Sequence, residues 1–243
     1  MRMNDLPSAS PAVPEKSCGA GLYRLLTWLS PGFPTGAFSY SHGLEAVAAS
    51  GTVRDRASLQ RWIGAVVDAG SGRIDADILR DAYRAARAGD IGALTIANRR
   101  GLAFRATTEM AVETTAQGAA FLDTCRAAWF EPFVDRWANT LDGSPVCYAA
   151  VLGAATARVG IPVECALLGF LQALAANLTS AGLRLGIIGQ TDGQRILAAL
   201  EPVIGAAVVR ALSREPEAFG SATFAVELAS MAHETQYTRL FRS

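Results

Sequence analysis

Residues 145–185, PVCYAAVLGAATARVGIPVECALLGFLQALAANLTSAGLRL, hold only three charged side chains in 41 positions: Arg158, Glu164 and Arg184. Pro145 and Pro162 each stand where a helix can begin, and Gly160 lies between two apolar runs. A helix that is apolar nearly all round has to be buried, in a bundle or against another subunit. Val163 to Leu178 is the most apolar run, yet Glu164, Gln172 and Asn177 interrupt it. A transmembrane helix needs about 18 or more consecutive apolar residues, so this run reads as a core helix and no membrane span is expected. The same reading extends outward. Leu59, Trp62, Ile63, Val66 and Val67 fall at i, i+3, i+4, i+7 and i+8 behind Asp55, a capping residue, which makes one core-facing stripe. Residues 74–88 place Asp75, Asp77 and Asp81 early and Arg80, Arg84 and Arg87 late, as on a solvated face with i, i+3 ion pairs.

Further helical patterns run over residues 21–29, 37–49, 91–104, 108–126, 132–141 and 145–159 and on through 162–185, separated by Gly, Pro or Asp. After the turn at 189–194 come a helix to about Leu200, a second from Pro202 and a last one marked by Phe224, Leu228 and Met231. Alternating strand patterns and internal repeats are absent from the sequence. The expectation is an all-α, single-domain bundle of about ten helices with no sheet, with residues 1–18 a loose tail, 19–233 the helical domain and 234–243 a second tail. Composition agrees: Ala is the commonest of the 243 residues, with 46 copies, and Ala has the highest helix propensity.

Charge and cysteine usage narrow the function. Twenty-two basic and 22 acidic residues give a net charge of +0. A nucleic-acid binder usually carries a basic surplus to replace the counterions on phosphates, so no nucleic-acid partner is expected. Cys18, Cys125, Cys147 and Cys165 are scattered without a C-x-x-C pair, and with no apolar h-region near the N-terminus they read as reduced thiols of a cytoplasmic protein.

Enzyme motifs fail in specific ways. Lys16, the only lysine, has Ser10 where the first glycine of a P-loop belongs. His233-Glu234 begins like H-E-x-x-H but meets Tyr237 at the second histidine position. Ser39-Tyr-Ser-His-Gly43 lacks the first glycine of a nucleophile elbow. His42 and His233 are the two histidines, and they provide no metal-ligand spacing. No catalytic residue, metal or cofactor is expected.

The most unusual stretch is Leu26-Thr-Trp-Leu-Ser-Pro-Gly-Phe-Pro-Thr-Gly-Ala-Phe-Ser-Tyr-Ser-His-Gly-Leu-Glu45. Its two prolines and two glycines between Pro31 and Gly36 can hold a fixed non-helical loop carrying an exposed Phe33, either as a docking surface or as a tight turn whose aromatics plug the core. The segment closely resembles the opening signature of the urease accessory protein F family, UreF. Arg105-x-x-x-Glu109-Met110, Gly189-Gln-Thr-Asp-Gly-Gln194 and Thr238-Arg-Leu-Phe-Arg-Ser243 extend the resemblance over residues 22–243. Ile187-Ile188 departs from it, standing where the family usually has Pro-Leu.

The resemblance implies an all-α homodimer without enzymatic activity, a scaffold for nickel insertion into urease. It implies binding of UreD (also called UreH), recruitment of the nickel-carrying GTPase UreG, and presentation of UreG to apo-urease. Carried onto this sequence, the partner-binding candidates are Phe33, Pro34, Tyr40, His42 and Glu45 in the signature, Gln190 and Asp192 in the turn, and Arg239, Leu240, Phe241 and Arg242 in the tail. Tyr40, His42 and Glu45 are expected on one signature helix. The tail either frays or becomes ordered when UreD/UreH binds. Two other readings stay open on the residues alone: a helical enzyme using Ser41, His42 and Glu45, and a structural helical oligomer without catalytic role.

Overall fold

The computed structural model describes residues 18–243; of the tail expected over 1–18, residues 1–17 lie outside the described residues and Cys18 opens the first helix. The described chain is all-α: eleven α-helices and two short 3-10 turns, with no strand among the described residues. In order they are α1 (Cys18–Trp28), a 3-10 turn (Ala37–Ser39), α2 (Leu44–Ala49), α3 (Arg56–Ala69), α4 (Ser71–Ala88), α5 (Ile91–Ala103) and α6 (Thr108–Ala128). Then follow α7 (Pro132–Asn139), α8 (Tyr148–Arg158), α9 (Val163–Arg184), α10 (Gln190–Ser213), a second 3-10 turn (Pro216–Ala218) and α11 (Phe224–Glu234).

Helix α4 is the axis of the bundle, with α8 along it and α3, α5, α9 and α10 around it. The close approach of α4 and α8 depends on Gly153, where a Cβ would collide with the Leu79 carbonyl oxygen. Gly118 serves likewise where α6 crosses the Val146 carbonyl. The stripe predicted on α3 is buried at Leu59, Ile63, Val66 and Val67, and Asp55 caps the helix through Ser58 in a reciprocal capping box. Helices α9 and α10 are each long and apolar enough to cross a membrane by length and composition. Both pack against α3 and α4, with Leu167, Leu171, Ile196 and Leu200 buried.

Three local expectations are corrected. Helix α4 is not a solvated face: Asp77 and Arg80 are buried, and the carboxylates find arginines far along the chain. Asp75 pairs with Arg105 at 2.5 Å, Asp81 with Arg100 at 3.0 Å, and Asp77 with Arg214 at 2.6 Å. The helix expected to end before Pro202 continues through it as α10. An internal proline costs a helix about 3 kcal/mol, offset here by a stripe of Ile196, Leu200, Ile204, Val208 and Ala211 that stays buried across it. Finally, residues 189–194 do not form a free turn, since Gly189 is the N-cap of α10 and Gln190 opens the helix.

Candidate functional site

The expected helix over 37–49 is interrupted. Ala37–Ser39 makes one 3-10 turn, Tyr40 is extended, and His42 and Gly43 take φ of 53° and 72° before α2 begins. A side chain at Gly43 would meet the Ser230 backbone nitrogen at 2.6 Å, so α11 lies directly on this bend. Of Tyr40, His42 and Glu45, then, only Glu45 is on a helix. The left-handed turn aims His42 and Glu45 at different partners.

Glu45 organises the chain's last residues. Its carboxylate accepts from the backbone N–H of Leu240 at 2.7 Å and of Phe241 at 2.9 Å, and from His233 Nε2 at 3.1 Å. The other ring nitrogen of His233 faces Glu109 at 2.8 Å, and Glu109 also accepts from Arg239 at 2.9 Å. The two ring nitrogens of His233 thereby bridge Glu45 and Glu109. Two backbone bonds stitch the tail to the signature, Arg242 N–H to the Ser39 carbonyl and Ser41 N–H to the Ser243 carbonyl, both at 2.7 Å. The Ser41 hydroxyl also donates to Ser243, and the Phe241 ring is buried under the Arg184 guanidinium, 4.3 Å away. Residues 239–243 are therefore anchored within the chain at both side-chain and backbone level.

A second polar chain lies beside the first. His42 bonds Glu113 at 3.0 Å through Nε2 and Ser71 at 3.1 Å through Nδ1, and Gln117 donates to Glu113 at 2.8 Å. Burial opposes charge on His42, but the Glu113 carboxylate outweighs it and raises the imidazole above its usual 6.5. Arg105, nearly enclosed, donates to Asp75, to the Gly101 carbonyl at 2.6 Å and to Cys147 Sγ at 3.4 Å.

These contacts sort the sequence candidates. The signature bend, the tail and the end of α9 meet at one junction, while Asp192 is held apart by Arg195 at 3.0 Å and by Arg56 at 3.9 Å. Gln190 is exposed on the first turn of α10, and Pro34 is exposed in the loop. Phe33, expected to be exposed, is buried: its ring packs 5.3 Å from Phe121, which removes a large apolar side chain from water. Tyr40, His42, Glu45 and Phe241 are likewise buried. They cannot offer their side chains to a partner as the chain stands, because each is already used to build the junction. Leu240, Tyr237 and Arg242 are exposed, and Arg239 is partly so. The Ser41–His42–Glu45 arrangement of an enzyme does not assemble, since His42 turns to Glu113 and Glu45 to His233.

Sequence reasoning missed Glu113, Gln117 and the bridging role of His233. Glu109, Glu113 and Gln117 recur every four residues on α6, all buried, and that polar stripe was the available signal. Among the described residues no group of three or more His, Cys, Asp or Glu side chains is arranged to hold a metal ion.

Comparison with known proteins is consistent over the full length. The family model UreF matches residues 53–201. A urease accessory protein UreF of Rhodopseudomonas palustris (strain HaA2) is 46% identical over 238 residues, 98% of this chain and 100% of that protein. One from Bradyrhizobium sp. (strain BTAi1) is 45% identical over 243 residues, all of both chains. Another, from Bradyrhizobium sp. (strain ORS 278), is 48% identical over 224 residues, 92% of each. With a family model covering more than half of its residues and relatives aligned end to end, the chain belongs to the UreF family of urease accessory proteins.

Proposed function

We propose that this chain is a homodimeric cytoplasmic scaffold that binds UreD/UreH, recruits the GTPase UreG and so supports nickel insertion into apo-urease. Membership in the family makes it a non-catalytic urease maturation factor that works with other maturation factors. The observation that carries the finer reading is the end-to-end likeness to urease accessory proteins, which includes the signature and the tail. The geometry supports a particular division of labour. Glu45, Glu109 and His233 hold residues 239–243 in one shape, and that shape leaves Tyr237, Leu240 and Arg242 in solvent. Phe224, Leu228 and Met231 are exposed at i, i+4 and i+7 along α11, which leads into the same tail. Aromatic, aliphatic and Arg side chains of this kind are the usual anchors of protein interfaces, and in this reading they meet UreD/UreH. Gln190 and Asp192, on the first turn of α10, are then candidates for UreG.

The test is co-expression with UreD/UreH and UreG, followed by size-exclusion chromatography with light scattering. The scaffold reading expects a complex with about two copies of each protein, lost when Leu240 is changed to Asp. A folded chain that binds neither UreD/UreH nor UreG refutes it.

A further inference from the structure

Beneath the Pro31–Gly36 loop is a cavity of about 360 Å³, between that loop and α9 and floored by α4, α6 and α8. The volume is in the range of about 300–1,000 Å³ that holds small molecules. Its outer walls are aromatic: Trp28, Phe33 and Phe38 on the loop side and Phe170 on α9. Its floor is polar but electrically balanced. The ionisable groups that line it are His42 and Glu113, which bond each other, and Asp75 and Arg105, which also bond each other. Neither pair leaves a free charge, and a net charge entering such a space would lose its hydration without gaining a counter-ion.

Uncommitted hydrogen-bonding capacity, by contrast, is present. Tyr148 adds a phenol on the inner wall, which burial pushes upward so that it stays a protonated donor. A donor in an aromatic, charge-neutral space matches an acceptor carried on a flat ring.

We propose that this cavity is a binding site for a small uncharged molecule that joins a flat apolar ring to a hydrogen-bond-accepting head such as a carboxamide. The cavity shares His42 and Glu113 with the polar chain beside the tail junction, and the proposal does not depend on the scaffold reading. Benzamide is the probe, with benzoate and benzylamine as charged counterparts of the same size, titrated into the full-length protein by ligand-observed NMR. Saturable binding of benzamide is expected, at least tenfold tighter than either charged compound. Tyr148→Phe removes only the phenol hydroxyl, so the variant should fold and bind benzamide at least fivefold more weakly. Absence of saturable benzamide binding overturns the proposal, as does equal affinity for the charged compounds, or unchanged affinity in a folded Tyr148→Phe protein.

Discussion

Replacing Glu45 by Gln should release the tail without unfolding the bundle. The carboxylate accepts three hydrogen bonds, from Leu240 N–H, Phe241 N–H and His233 Nε2. A carboxamide of the same shape keeps one acceptor oxygen and turns its N–H₂ toward a backbone N–H, which can only donate. Hydrogen bonds to charged groups are each worth about 1.5–3 kcal/mol, and a buried donor left unmatched costs about 1–3 kcal/mol. Because the partners can retreat to water when the tail opens, the net loss should be about 2–4 kcal/mol in the free energy of local opening. At about 1.4 kcal/mol per factor of ten, that is roughly a 30- to 700-fold rise in the opening equilibrium. Native-state hydrogen exchange reads it directly at the four amides that depend on the docked tail: Leu240, Phe241, Arg242 and Ser41. Amides in the middle of α8, such as Val151, are the internal control, since that helix is buried far from the substitution in sequence and belongs to the core. Exchange at the four amides unchanged within threefold, in a folded Glu45→Gln protein, would refute the idea that this carboxylate holds the tail. A uniform rise at all amides, Val151 included, would refute the claim that opening is local.

Other consequences follow from single contacts. His42 has a folded pKa raised above 6.5, so its contribution to stability is fully present below about pH 6.5 and fades as pH rises through the raised value. The stability difference between the parent and His42→Asn in urea titrations should accordingly shrink from pH 6 to pH 9, and a difference that grows would contradict the pairing with Glu113. Gly118→Ala would press a methyl group into the Val146 carbonyl. Overpacking of this kind costs about 1–3 kcal/mol, or a fall of roughly 2–12 °C in Tm for a chain of this size, measurable by calorimetry. Asp77→Ala leaves the buried Arg214 guanidinium without its 2.6 Å partner. A loss of about 3–5 kcal/mol is expected, and denaturant unfolding with a loss under about 1 kcal/mol would show that Arg214 finds another partner.

What could be read in the sequence was what local chemistry decides. The α3 stripe and the Asp55 cap involve residues within a dozen positions of each other, and both are present as expected. The charge-poor stretch from 145 to 185 was correctly a core element because burial of a helix without charges has no alternative. Helix α4 misled for the complementary reason. Asp75, Asp77 and Asp81 interleaved with arginines look like a self-sufficient surface, and one such pair, Asp77 with Arg80 at 3.6 Å, does form. Asp81 also holds Arg80 at 2.8 Å, but all three carboxylates bond arginines outside the helix, Arg105, Arg214 and Arg100, and spacing along one helix carries no information about those. The junction was hidden for the same reason, since Glu45 and His233 are 188 positions apart. The bend that aims them requires φ of 53° at His42, a conformation that a helical pattern over 37–49 does not suggest.

The anchored tail also changes how a deletion should be interpreted. Removing residues 234–243 takes away every backbone donor to Glu45 and the arginine on Glu109, and leaves two carboxylates facing one imidazole at a newly uncovered surface. Loss of partner binding on such a truncation is then expected whether the tail touches the partner or only completes this chain's own junction. Side chains that point outward separate the two. Tyr237→Ala and Leu240→Asp alter exposed positions while leaving the Leu240 and Phe241 backbone bonds to Glu45 available. If the tail is a contact, these substitutions weaken the complex with UreD/UreH while hydrogen exchange at Phe241 stays slow. If the tail acts only by bracing α2 and α11, they leave the complex intact, and Glu45→Gln, which touches no exposed atom of the tail, is the one that weakens it.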